Sequence, residues 1–64
     1  MARIINLYEV HSGGSEVHRF NSKREALADF AWGVRTIQKW SKSDQRGMKV
    51  ELYLNDKLIK RKSF

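Results

Sequence analysis

Ser22-Lys23-Arg24-Glu25-Ala26-Leu27-Ala28-Asp29-Phe30 is the stretch that decides how this chain folds. The Ser22 hydroxyl can accept from the Glu25 amide while the Glu25 carboxylate reaches back to the Ser22 amide, a reciprocal capping box that starts a helix. From there Ala26, Leu27, Phe30, Gly33, Val34, Ile37 and Trp40 gather on one side at about 100° per residue, the apolar stripe of a helix that lies on a sheet. The stripe predicts a helix over 22–40, with Trp40 in the core. Residues 41–47, polar and holding two serines, an aspartate and a glycine, read as a connecting loop.

On the C-terminal side, Met48, Val50, Leu52 and Leu54 alternate with Lys49, Glu51 and Tyr53, the period of a strand buried on one face. A two-residue turn at Asn55-Asp56 would pair Leu54 with Lys57, Leu52 with Ile59 and Glu51 with Lys60. On the N-terminal side, residues 3–10 are rich in Ile, Leu, Tyr and Val, and Ser12-Gly13-Gly14-Ser15 supplies a turn before Glu16–Phe20 resumes an extended pattern. Ile4, Tyr8 and Val10 share one face of the first strand and Ile5 and Leu7 the other, so its pattern leaves the buried side open. If the loop is Ser12–Ser15, His11 pairs with Glu16 and His18 lies opposite Glu9. The expected architecture is α+β: one small domain over residues 1–64, ββαββ, with an antiparallel sheet carrying one helix on one face.

Sixty-four residues are too few for a deep catalytic cleft, because a core of this size without staples seldom supplies more than ~3–5 kcal/mol. There is no cysteine, which excludes disulfides, thiolate zinc sites and thiol catalysis. No apolar run approaches a membrane span and no signal-peptide core follows Met1-Ala2-Arg3, so the expectation is a soluble cytoplasmic protein without a membrane partner. Thirteen Lys+Arg against seven Asp+Glu leave a net charge of +6. The first twenty residues balance to zero, so the positive field belongs to the helix and the C-terminal third.

The run His18-Arg19-Phe20-Asn21-Ser22-Lys23-Arg24-Glu25-Ala26 resembles the strand-to-helix junction in the arm-binding domains of phage-type integrases and in plant ethylene-response DNA-binding domains, which enter a DNA groove with a sheet. The resemblance covers about a seventh of the chain, and both families place three strands before the helix where this chain has two. It transfers no binding residue. The brevity and basicity of the chain also look like those of small bacteriophage proteins that bind host factors.

Trp32 falls about 140–160° from the centre of the stripe and is expected in solvent, with Arg35 a turn away and Lys39 two turns along. An indole beside two cations suits stacking on an unpaired base with phosphate neutralisation. Packing under the 41–47 loop, or against a second copy, is the structural alternative. Lys57, Lys60, Arg61 and Lys62, with Lys49 and Tyr53 on the partner strand, form the densest basic cluster, suited to phosphates and a stacked base. A lysine-rich edge strand also guards against edge-to-edge aggregation. His11 and His18 lack a third ligand at fixed spacing, so no metal or cofactor is expected. A metal-free ribonuclease using one of them with a lysine is the catalytic alternative. The function expected is a non-enzymatic basic module binding RNA or single-stranded DNA through Trp32, Arg35, Lys39, Lys49, Tyr53, Lys57, Lys60, Arg61 and Lys62. The alternative is an inhibitor or antitoxin-like factor docking on an acidic host protein with Trp32 as anchor. A self-associating structural subunit is the third class.

Overall fold

The computed structural model describes residues 6–64. Two hairpins flank the main helix: β1 (Tyr8–Ser12), β2 (Glu16–Phe20), α1 (Lys23–Gln38), a short α2 (Lys42–Gln45), β3 (Lys49–Leu54) and β4 (Lys57–Ser63). The four strands form one antiparallel sheet in the order β2-β1-β3-β4, and α1 packs on one face over β1 and β3 and touches β2. This is the ββαββ arrangement that the capping box and the two alternating segments predict. Ile4 and Ile5, which the sequence placed in the first strand, lie outside the described residues.

The forward half of the capping box is formed, with the Glu25 amide donating to Ser22 Oγ at 3.4 Å. Ala26, Phe30, Gly33 and Ile37 then face the sheet and meet Tyr8, Val10, Val50 and Leu52. The buried side of β1 is thus that of Tyr8 and Val10. Gly33 is where helix and sheet come closest: a Cβ there would stand 3.2 Å from Ser12 Oγ and 3.5 Å from a Val50 methyl.

Three expectations are corrected by register and capping. The first turn has three residues, Gly13-Gly14-Ser15, with both glycines at positive φ, so Ser12 pairs with Glu16, His11 with Val17 and Val10 with His18. One residue of slip turns His18 onto the helix side of the sheet. The second turn is at Asn55-Asp56, both at positive φ as a type I′ turn demands, and Leu54 pairs with Lys57. Beyond Tyr53–Leu58, however, Ile59 is an extra residue: Leu52 pairs with Lys60 and Glu51 with Arg61. The bulge reverses the facing of everything after it. Third, Trp40 is not core. The helix ends at Gln38, and Ser41 starts α2 by accepting from the Asp44 amide at 3.3 Å, so nothing closes over the indole, which is 41% exposed.

Candidate nucleic-acid interface

Register decides which side of the sheet each candidate occupies. Val50, Leu52 and Leu54 face α1, so their partners Lys62, Lys60 and Lys57 project from β4 on the helix side. Lys60 Nζ stands 5.2 Å from the centre of the Phe30 ring, which fixes that direction. Every residue of β4 is exposed, because the strand overhangs the footprint of α1. Lys57, Lys60 and Lys62 therefore form a row of cations on a ledge beside the helix.

Lys49, Tyr53 and Arg61 lie on the opposite, open face of the sheet, together with Glu9, His11, Arg19 and Glu51. Apart from Arg61, the charges there are mutually occupied. Arg19 Nε donates to a Glu9 carboxylate oxygen at 2.9 Å, His11 Nε2 is 3.5 Å from the other oxygen, and Lys49 Nζ is 3.9 Å from Glu51. Glu51 is itself only 8% exposed, between His11 and Arg61 in register. Tyr53 stacks at a tilt on His11, ring centres 4.7 Å apart. Partial loss of water, then the charge of Glu51, push the phenol above its ordinary pKa. Tyr53 is thus engaged with its neighbours.

On α1, Trp32, Arg35 and Lys39 are exposed and share the outer crest, as their helical phase predicts. Trp32 leans to the β2 flank, where it lines a cleft with Thr36 and Ile37 on the helix, Trp40 just beyond its end, and Ser12, Gly13, Ser15 and Glu16 on the facing turn. The nine candidates therefore fall on three surfaces: the crest, the β4 ledge beside it, and the open face behind. None of the cations of the crest and ledge (Arg35, Lys39, Lys57, Lys60, Lys62) has a carboxylate within 4 Å among the described residues, where the ion pairs formed involve Glu9, Glu16, Asp29 and Glu51.

The acidic flank is the opposite one. His18 bridges β2 and α1 through Nδ1 to Asp29 at 3.0 Å, with Nε2 3.7 Å from Glu16. The hydrogen bond to Asp29, followed by its charge, raises the imidazole above its ordinary 6.5. Sequence reasoning passed over Trp40, Glu16 and Thr36. The signal for Trp40 was the Ser41-Lys42-Ser43-Asp44 cap immediately after it, which ends one helix, begins another and leaves the indole at an uncovered corner.

The described residues contain no group of three or more His, Cys, Asp or Glu placed to hold a metal, and no helix among them is long and apolar enough to cross a membrane. Comparison of the chain with protein-family models, with curated proteins and with solved structures finds no match in any of the three.

Proposed function

We propose that the protein is a cytoplasmic, non-enzymatic binding module for RNA or single-stranded DNA, which it holds by its phosphates on the helix side. The observation that carries this is that five cations on the helix side, Arg35 and Lys39 on the crest and Lys57, Lys60 and Lys62 on the ledge, have no carboxylate within 4 Å among the described residues. A row of cations free of carboxylates is available to phosphates at no cost in broken ion pairs. Trp32, 54% exposed on the same crest, supplies a stacking surface for a base. A duplex is less suited, because an indole needs an unstacked base.

Anisotropy of a labelled oligouridylate, titrated at rising salt, tests this. Each phosphate contact contributes a slope of about −0.7 in log K against log salt for a single strand, so five contacts predict a loss of about a hundredfold between roughly 50 and 200 mM. Two double variants that remove equal charge from opposite faces test the surface. Lys60→Gln/Lys62→Gln should weaken binding strongly and Lys49→Gln/Arg61→Gln little. Equal losses would show that only net charge matters and remove the surface. Absence of oligonucleotide binding, with capture of an acidic protein through the same lysines, would replace nucleic acid by a protein partner.

A further inference from the structure

Trp32 and Thr36, one turn apart on α1, and Trp40, just beyond its end, line one cleft on the β2 flank, with the small Thr36 between two indoles in sequence. Thr36 Oγ1 is turned back on the helix, donating to the Trp32 carbonyl at 2.8 Å, so it does not fill the gap with a free polar group. Ile37 lies at the floor and the Gly13–Gly14–Ser15 turn, held by the Gly13 amide on the Lys49 carbonyl at 3.3 Å, forms the facing wall. The result is a cleft of about 200 Å³ between helix and hairpin.

Its lining offers two indoles, an aliphatic floor, the hydroxyl residues Ser12 and Ser15, and one charged residue, Glu16. No Lys, Arg, His, Asn or Gln contributes to it. Glu16 pairs with Ser12, whose side is that of the helix, so its carboxylate projects on the cleft side of β2. A phosphate would meet a carboxylate here and be repelled. What fits is a flat, uncharged group that contacts aromatic surface and presents N–H donors to an acceptor.

We propose that this cleft takes a single unstacked nucleobase from a strand held on the crest by Arg35 and Lys39, and that Glu16 makes it prefer guanine. The Watson–Crick edge of guanine alone carries two adjacent donors, N1–H and the 2-amino group, which match the two oxygens of a carboxylate. Adenine and cytosine each place a ring acceptor beside their amino group, and uracil flanks its one N–H with carbonyls, so each of these sets an acceptor against Glu16. This deepens the nucleic-acid proposal and rests on it. The same aromatic and acidic lining suits an arginine side chain as well, but a molecule of net charge +6 with Arg35 and Lys39 on the adjoining crest draws in a nucleic-acid strand and repels a cationic partner at long range.

The test uses octauridylate and three relatives with one central guanosine, inosine or adenosine, titrated against the full chain by tryptophan fluorescence and anisotropy. The guanosine oligomer should bind about tenfold or more tighter than the inosine oligomer, which lacks only the 2-amino group. Glu16→Gln should raise affinity for the octauridylate, inosine and adenosine oligomers slightly, since a negative charge is lost, and lower that for the guanosine oligomer, so that the ranking is erased. Trp40→Ala should also erase it while leaving the salt-dependent binding of octauridylate in place. Thermal melts of both variants, at positions exposed in the structure, verify folding. Equal affinity of the guanosine, inosine and adenosine oligomers, or a guanine preference that survives Glu16→Gln, overturns the proposal while leaving phosphate binding intact. Failure of every oligomer at low salt overturns the underlying function instead. Fluorescence quenching by N-acetyl-arginine amide, but not by its neutral citrulline counterpart, together with indifference to the central base, would assign the cleft to a cationic side chain.

Discussion

His18 shows how much a single residue's neighbours depend on one step of register. Opposite Val10 it faces the helix and reaches Asp29; opposite Glu9 it would have faced away. Because Asp29 raises its pKa, the contribution to stability is fully present below the unfolded value of 6.5 and is lost as pH rises through the higher folded value. The pair is partly exposed, so screening keeps the effect under about 1 kcal/mol. Urea melts should therefore show a small fall in stability on going from just below 6.5 to above the folded value, and Asp29→Asn should flatten it. A stability that rises across this interval in the parent chain and not in Asp29→Asn would give the pair the opposite sign. Trp32 was legible at this scale as well, since helical phase alone puts it outside. Trp40 was not, because the same phase analysis cannot see that the chain turns away just beyond it.

Between elements, the decisive contact is α1 on the sheet at Gly33. Larger side chains there would lift the helix from Ser12 and Val50, widening the cleft as well as loosening the core. Gly33→Leu should cost about 1–3 kcal/mol by overpacking, measured by chemical denaturation, even though leucine is the better helix former. A neutral or stabilising result would mean that the close approach is not required. The capping box, the stripe and the alternation of Met48–Leu54 were enough to predict element order, since each is a local pattern with its own period. What the sequence did not disclose were the two registers. A three-residue turn in place of four, and an extra Ile59, change no period and no composition, and they are settled by backbone conformation at Gly13, Gly14, Asn55 and Asp56 together with packing against the helix. The site inherited that ambiguity: without the bulge, Lys60 would lie opposite Glu51 on the open face, as the sequence suggested.

At the scale of the whole molecule the core is small: Tyr8, Val10, Ala26, Phe30, Ile37, Val50 and Leu52 are its buried hydrophobic members among the described residues. Leu52 is fully enclosed. Leu52→Ala is expected to remove about 2–5 kcal/mol, comparable to all that a core of this size supplies. Circular dichroism at room temperature should find this variant largely unfolded; a cooperative melt near the parent's would mean that stability resides elsewhere. Charge is likewise distributed at this scale, with Glu16 and Asp29 at the β2 flank, Glu9 and Glu51 on the open face, and cations on crest and ledge.

The extra residue in β4 also bears on how the protein behaves in a crowded solution. A straight outer strand is a template on which further chains can add, and a kink disrupts that template. Deleting Ile59 would leave Tyr53 opposite Leu58 and Leu52 opposite Lys60, so every lysine would keep its side while the edge became regular. Light scattering of concentrated samples should then show the shortened chain assembling faster than the parent at equal charge. The same kink that aims the lysines would thereby be the feature that keeps the protein dispersed, and the two roles can be separated by one missing residue.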